Sequence, residues 1–518
     1  MTTQTQIGDV VVLTEAAANE ASRNHSMWND DLRPCTLAEH SWPALKFSSL
    51  WIGMCICLPT YSLAASMIAL GMNWWESVLT ILCGSAIVMI AILLVSHAGT
   101  KFGIPYPVFA RLWFGTRGAH LPALARAVIA AGWFGINSWF AGQALDAILL
   151  RLVPAWPHFS WHLGVAFLIF WAINVVIAMR GPQAIGRLAQ FSAPTLALGA
   201  IALFAWAVHA AGFGPLLAQP AKLHGPAFWS GFLPSVVGVI AFWATMALNI
   251  PDYTRYAVSQ RAQVRGQIFA MPLTMALFSF AGIVVTSATV ALFHTPLWNP
   301  VQLIVKFPTP VVVIAGIVIM ISSITINVGA NVMAPARAFE NLWPRKITFA
   351  WGAVITGLLS LAMEPWYLLS SFTTYIFVWL GAYGAMLGAF DGIAIADYWL
   401  VRKRRLDLAQ LYAPRGIYAY ARGLNPFAIA ALAIGWALAV AGAVLFTVHA
   451  PSAGGLDGFF ARLSSGGWLL SLGGGLIAYA LLMQGSRSRI SHQAYTEITG
   501  ESASPADPQW AASATQTT

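Results

Sequence analysis

The chain has 518 residues, of which 58% are hydrophobic and only 9% are charged, and its mean hydropathy is +0.70. No soluble domain requires that much apolar surface, so the composition indicates a polytopic membrane protein. The formal net charge of +9 does not indicate a nucleic-acid partner, because most lysine and arginine residues lie in short loops on one side of the predicted spans.

Apolar runs of spanning length predict twelve transmembrane helices. They lie near residues 47–70, 74–96, 122–150, 161–179, 190–211, 228–250, 268–293, 310–333, 347–363, 367–396, 425–448 and 467–484. The expected organisation is a cytoplasmic N-terminal tail (1–45), two blocks of five spans (46–211 and 212–400), a basic loop with two peripheral spans (401–484) and a cytoplasmic C-terminal tail (485–518).

The loops after even-numbered spans carry most of the basic residues, so the positive-inside rule predicts that both termini are cytoplasmic. Residues 1–45 are polar and contain no apolar core of the signal-peptide type, and we expect the first span to act as the membrane signal. The four cysteines do not form a metal or disulfide pattern, because Cys55 and Cys57 point to different faces of a helix.

Two spans contain helix-weakening residues at corresponding positions. The first span has Pro59 near its middle, and the sixth has Gly238 as its weak point. These spans begin the two blocks of five. Broken spans at matching places in two halves indicate an inverted-repeat transporter with a site at the membrane midplane.

We expect no carboxylate at the middle of the bilayer, because the acidic residues between the tails fall at predicted span ends or in loops. A transporter of cationic substrates would normally carry such a carboxylate. The substrate is therefore predicted to be uncharged or delocalised, and a cation site would be built from carbonyls and hydroxyls. If a proton is the coupling ion, candidate carriers are Glu76, Asp146 and Glu340.

The third and eighth spans supply candidate site residues. In the third, Trp133, Asn137 and Phe140 share one helical face, and an indole beside an amide suits a planar ring with polar edges. Trp243 of the sixth span could cover the other side of that ring. The alternative is that these tryptophans are interfacial anchors.

The eighth span has two polar faces. Ser322, Thr325 and Gly329 share one, and Ser323, Asn327 and Asn331 share the other. Hydroxyls suit a desolvated cation, whereas amides both donate and accept and suit a neutral heterocycle. The alternative is that these residues only bind one helix to another.

A set of short motifs, in order over about residues 28–410, resembles the nucleobase-cation symporter-1 family, in particular its uracil, allantoin and hydantoin branch. The motifs are Asn29–Pro34, Trp51–Gly53, Pro59–Tyr61, Gly103–Val108, Gly132–Ile136, Phe242–Thr245, Asn249–Arg255, Asn327–Asn331, Asn341–Pro344 and Ile395–Tyr398. The resemblance implies an all-α membrane protein with a leucine-transporter-type fold, consisting of ten spans in two inverted repeats and two peripheral helices.

The resemblance also implies a substrate site. Trp133 and Trp243 would stack on the ligand, Asn331 would read its polar edge, and Cys57 would contact it through the backbone. Asn137 lies where this branch usually has glutamine. The six implied substrate contacts are Cys57, Trp133, Asn137, Phe242, Trp243 and Asn331.

The family's sodium site would use carbonyls of Gly53, Ile56 and Ser322 and the hydroxyl of Thr325. The next position, Ile326, carries a hydrocarbon where the family has a second hydroxyl. A hard cation that loses one of about five oxygens is poorly coordinated. We therefore expect uptake to depend weakly on sodium, and a proton is the alternative coupling ion.

The sequence therefore predicts a monomeric inner-membrane symporter that imports a neutral nitrogen heterocycle such as uracil, allantoin or a hydantoin by alternating access, with no prosthetic cofactor and no nucleic-acid partner. The alternatives are a proton-coupled purine or cytosine permease of the same family and a channel. A polytopic membrane enzyme is the remaining alternative, and we find no clustered carboxylates or histidines to support it.

Overall fold

A computed structural model describes residues 3–23, 27–30, 32–181, 186–343, 346–371, 375, 379–449 and 466–484. Helices dominate this part of the chain and pack around a large hydrophobic core, and a small second cluster contains Ala127 and Phe339. The predicted C-terminal tail, residues 485–518, lies outside the described residues.

Short segments precede the first span. Strands β1 (Gln4–Ile7) and β2 (Val10–Leu13) form an antiparallel hairpin, which is followed by helix α1 (Glu15–Ser22). Gly8 turns the hairpin with φ +61, a conformation that glycine adopts without strain. This hairpin departs from the expected purely polar tail, because Val10 and Val11 are buried against the body of the protein.

The N-terminal segment is attached by specific bonds to loops that follow the second and tenth spans. Gln4 donates to the carbonyl of Leu406 at 3.1 Å, and the backbone N–H of Cys35 donates to Gly103 at 2.9 Å. Arg33 forms a two-pronged ion pair with Glu39, with N–O distances of 2.7 and 2.8 Å. This ion pair lowers the pKa of Glu39 from 4.5 to about 2.

The remaining helices follow in chain order. They are α2 (Ala44–Cys55), α3 (Leu58–Leu70), α4 (Trp74–Phe102), α5 (Tyr106–Phe114), α6 (His120–Leu152), α7 (His162–Met179), α8 (Gly186–Ala211), α9 (Phe213–Leu217), α10 (Pro226–Asn249), α11 (Pro251–Thr254), α12 (Gln260–Gln267), α13 (Ala270–Phe293), α14 (Pro300–Ile304), α15 (Thr309–Ile326), α16 (Met333–Leu342), α17 (Phe349–Ala362), α18 (Pro365–Leu368), α19 (Gly381–Ile395), α20 (Pro426–His449) and α21 (Gly467–Gln484). Two π-helical turns, Asn327–Val332 and Ala396–Val401, follow α15 and α19. Short 3-10 turns occur at Leu37–Glu39, Trp156–His158, Ala409–Tyr412 and Ile417–Ala419.

Each of the twelve predicted spans contains at least one of these helices. In the described part of the chain, eight helices are long and apolar enough to cross a membrane, and α2 with α3 makes nine if the bent pair is one span. Together with α6, α17 and α20, they are consistent with twelve spans. The division into two five-span repeats stays a prediction.

The first span is broken, as predicted. Helices α2 and α3 meet at a 58° bend, and Ile56 and Cys57 lie between them. Pro59 lies in the first turn of α3, where its missing N–H does no harm. Among the described residues, no backbone N–H donates to the carbonyl oxygens of Gly53 and Ile56, so the bend leaves two free acceptors.

The sixth span is not broken, so that prediction was wrong. Helix α10 runs without interruption through Pro234 and Gly238. A single glycine weakens a helix by only about 1 kcal/mol, which is easily outweighed by packing on all sides. Its neighbour α4 lies so close that a Cβ on Gly84 would be 2.5 Å from Val239.

The eighth span instead contains an irregularity that the sequence did not reveal. After Ile326 the α-helix widens into the π-turn Asn327–Val332 and then continues as α16. Such turns shift the faces of a helix and occur often at functional sites.

Asp391 contradicts the expectation that carboxylates lie only at span ends or in loops. It lies inside α19, is fully buried, and accepts a hydrogen bond from Trp468 Nε1 of α21 at 3.2 Å. Helix α21 packs so closely on α19 that a Cβ on Gly388 would clash with Ser471 Oγ. Only glycine allows this approach. The two peripheral helices α20 and α21 thus pack on the tenth span.

Candidate functional site

A cavity of about 420 Å³ lies in the middle of the helix bundle. Its walls come from the broken first span, α6, α10 and the π-turn of the eighth span. It extends from buried Pro59 to exposed Ser49 and half-buried Met333, so it opens at the end of the bundle where α6 begins. The break in the first span and the π-turn therefore face each other across one space.

All six residues that the resemblance implied as substrate contacts line this cavity: Cys57, Trp133, Asn137, Phe242, Trp243 and Asn331. Each is at most 7% exposed. Tertiary packing thus brings together side chains from four separate spans.

Three of the six are aromatic and lie edge to face. Phe242 is 5.0 Å from Trp133 and 5.2 Å from Trp243, measured between ring centroids, with interplanar angles of 71° and 73°. Trp51 packs edge to face against Trp243, with 5.2 Å between the ring centroids. The buried Nε1 of Trp243 has no hydrogen-bond partner among the described residues.

Asn331 is oriented by a chain of hydrogen bonds to the third span. Its Nδ2 donates to Asn327 Oδ1 at 2.9 Å, and Asn327 Nδ2 in turn donates to the Phe134 carbonyl and Ser138 Oγ, both at 3.1 Å. Asn327 is fully buried and does not line the cavity. Asn327 therefore connects two helices, while Asn331 keeps its carbonyl oxygen and second N–H for the cavity.

Asn137 is fixed within its own helix. Its Nδ2 donates to the carbonyl of Trp133 at 3.0 Å, and Ser323 Oγ donates to the carbonyl of Asn137 at 2.7 Å. Ser323 thus joins the third and eighth spans, as the alternative interpretation of the eighth-span hydroxyls proposed. The side-chain oxygen of Asn137 is left to accept from a ligand.

The candidate cation residues are only partly brought together. Gly53, Ile56 and Thr325 line the cavity, and so does Ile326, whereas Ser322 is buried outside it. The hydroxyl of Thr325 donates to the Ile321 carbonyl at 2.8 Å, which leaves only its lone pairs for another partner. Two residues with free carbonyls and one with a hydroxyl therefore line the same cavity.

The far end of the cavity is closed by polar and aromatic contacts. Tyr375, which is fully buried, donates its hydroxyl to the carbonyl of Pro59 at 3.3 Å and stacks on Trp298 at 6.4 Å. Nearby, Asn299 Nδ2 donates to Gln143 Oε1 at 2.9 Å. Tyr375 thus joins the broken span to the tenth span and to the loop after the seventh span, and Asn299 joins that loop to the third span.

The sequence analysis missed a charged residue of the cavity. Arg126 lies on α6, is 3% exposed, and lines the cavity. It precedes Trp133 by seven residues, which places the two on one helical face. An arginine inside a predicted apolar span was visible in the sequence and is a signal of function in itself.

The comparisons with known proteins identify a family of permeases. Residues 34–461 match the model of the family described as permease for cytosine/purines, uracil, thiamine, allantoin. The chain is 39% identical to the purine-uracil permease NCS1 of Arabidopsis thaliana, over 80% of this chain and 72% of the relative. It is 38% identical to the allantoin permease of Bacillus subtilis, over 81% of this chain and 88% of the relative.

The fold matches a solved structure. This structure is Mhp1, a nucleobase-cation-symport-1 family transporter in a closed conformation with bromovinylhydantoin bound. It superimposes on this chain with a TM-score of 0.74 at 24% sequence identity. The match covers 91% of this chain and 99% of Mhp1. This likeness confirms the leucine-transporter-type fold. The matched family consists of permeases and not enzymes. The resemblance seen in the short motifs is therefore confirmed. This chain is an integral membrane transporter that belongs to the family of permeases for cytosine/purines, uracil, thiamine and allantoin.

Proposed function

We propose that this transporter is a secondary active symporter that carries a neutral five- or six-membered nitrogen heterocycle such as uracil, allantoin or a hydantoin by alternating access. The observation that carries the proposal is the convergence of Trp133, Trp243, Asn137 and Asn331 on one cavity beside the broken span. Indole faces stack on a flat ring, and the two amide oxygens accept from ring N–H groups.

A purine is the second candidate substrate. At the roughly 30 Å³ that each water occupies in the liquid, a single ring with about eight non-hydrogen atoms needs at most about 240 Å³. The cavity of about 420 Å³ has room beyond that, and the relative from Arabidopsis thaliana is a purine-uracil permease. Competition between uracil and purines separates the two candidates.

For the coupling ion, we propose weak dependence on sodium. The carbonyls of Gly53 and Ile56 and the hydroxyl of Thr325 border the cavity, but Ile326 adds hydrocarbon beside them. A hard cation there would have fewer oxygens than it prefers, which favours a proton as the alternative coupling ion.

We further propose a monomer in the inner membrane, surrounded by lipid, with both termini in the cytoplasm. The basic loops support this orientation. The cavity opens at the end where the N-terminal segment packs, so in this orientation the structure faces inward.

Uptake of labelled uracil and allantoin into proteoliposomes tests the proposal, with a panel of heterocycles as competitors. Replacing Trp133 with alanine removes one stacking face and should weaken affinity by about 1 to 3 kcal/mol, roughly 5- to 150-fold. Trp139→Ala is the matched control, because Trp139 lies on the same helix but packs on Phe167 and Trp366 outside the cavity. Flux that does not saturate would indicate a channel, and normal uptake by Trp133→Ala would contradict the stacking site.

A further inference from the structure

Arg126 is the one charged side chain among the described residues that line the cavity. No aspartate or glutamate among the described residues shares that wall. Along α6, seven residues correspond to about 10 Å, so Arg126 lies two turns from Trp133 toward the open end. A ligand between the tryptophans would therefore lie within range of a single positive charge.

The guanidinium of Arg126 is held but not neutralised. Its Nε donates to Asn249 Oδ1 and its Nη2 to the carbonyl of Ala330, both at 3.3 Å. Nη1 is buried and has no hydrogen-bond partner among the described residues, and Arg126 forms no ion pair with a described carboxylate. Ala330 adjoins Asn331, so the charge lies beside the residue proposed to read the ligand.

The nearest acidic group does not cancel this charge. Asp252 and Arg126 both line a second void of about 10 Å³, but Arg337 lines it too. The Oδ1 of Asp252 is already bonded to the backbone N–H of Tyr106 at 2.8 Å. Among the described residues no hydrogen bond joins Asp252 to Arg126, whose bonds go to Asn249 and Ala330 instead, so Asp252 does not take up the guanidinium that lines the cavity.

We propose that Arg126 makes the cavity select for negative charge, so that among heterocycles of equal shape it prefers one that carries a carboxylate or a ring oxyanion. This inference rests on the proposed transport of nitrogen heterocycles, and it extends their class from neutral rings to rings that carry a negative charge. At an effective dielectric constant of about 20 and a separation of roughly 8 to 10 Å, a unit charge pair favours the anion about 20-fold. The cavity volume beyond that of one ring accommodates the charged substituent.

The test uses matched pairs of ligands that differ only in charge. Uracil-5-carboxylate, uracil-6-carboxylate and hydantoin-5-acetate are each compared with the corresponding carboxamide as competitors of labelled uracil and labelled hydantoin, on purified full-length protein. The measured quantity is the ratio of the carboxamide's inhibition constant to that of the acid. Variants are Arg126→Gln, Arg126→Lys and the control Arg117→Gln, which removes the same charge from an exposed position.

In the parent protein and in Arg117→Gln, at least one pair should favour the acid by roughly 20-fold. Arg126→Gln should abolish that preference while unsubstituted uracil or hydantoin still binds, and Arg126→Lys should retain part of it. A parent protein that binds every amide as well as its acid overturns the inference without any variant, and so does an unchanged ratio in Arg126→Gln. If the parent binds neither unsubstituted ring, the proposed function itself fails, which is a distinct result.

Discussion

The side chain of Asn331 provides a prediction whose size follows from its contacts. One of its two N–H groups is bonded to Asn327, and its carbonyl oxygen and other N–H remain for the ligand. Replacing Asn331 with alanine should leave a ring N–H or carbonyl unpaired in a largely desolvated cavity. That penalty is about 1 to 3 kcal/mol, so the dissociation constant should rise roughly 5- to 150-fold.

The substitution also removes the donor to the buried Asn327 Oδ1, so the free energy of unfolding should fall by about 1 to 3 kcal/mol, although Asn327 keeps the bonds that it donates to Phe134 and Ser138. Asn341→Ala is the matched control. Asn341 is equally buried at 7% exposure and lies on the continuation of the same span. Its amide nitrogen is 3.4 Å from His120 Nδ1, and Asn341 does not line the cavity.

The assay is equilibrium binding of labelled uracil to purified protein, with 1-methyluracil and 3-methyluracil as competitors. A methyl group removes one ring N–H, so the analogue that lacks the group read by Asn331 should lose little further affinity in Asn331→Ala. Unmodified uracil should lose the full amount. If uracil and both analogues weaken by the same factor, or if Asn341→Ala weakens binding as much, Asn331 does not read the ring.

Three further predictions concern other parts of the molecule. Ile326→Thr adds an oxygen beside Thr325 and should increase the sodium dependence of uptake. The measurement is uptake across a sodium series at fixed pH and across a pH series at fixed sodium. Strong, saturable sodium dependence in the parent would contradict the reasoning. Asn137→Gln extends the amide by one methylene and should change the order of competitors in an uptake panel, whereas an unchanged order would show that residue 137 does not contact the ligand. The pKa of Glu39 is lowered to about 2 by Arg33, so the stability that this ion pair gives the turn at residues 33–39 should be full above pH 4.5 and be lost as the pH falls toward 2. Hydrogen exchange of residues 32–43 across that range should show the change, and Glu39→Gln should remove the pH dependence.

The sequence by itself determined the membrane class, the positions of the helices and the break in the first span. These properties are local: about 20 apolar residues must cross the bilayer as helix, and Pro59 favours the first turn of a new helix over the interior of a continuous one. The short motifs also identified the six side chains that line the cavity, because a family resemblance carries positional information that hydropathy does not.

Only the tertiary structure decided how those side chains are used. Gly238 weakens its helix by about 1 kcal/mol, and close packing of α10 on its neighbours keeps the helix continuous, which no local pattern could reveal. Asn327 and Asn331 have the same chemistry and similar surroundings in the sequence. The third span offers a carbonyl and a hydroxyl to Asn327 and leaves Asn331 facing the cavity, since the partner of a buried amide is chosen by the helix that packs against it.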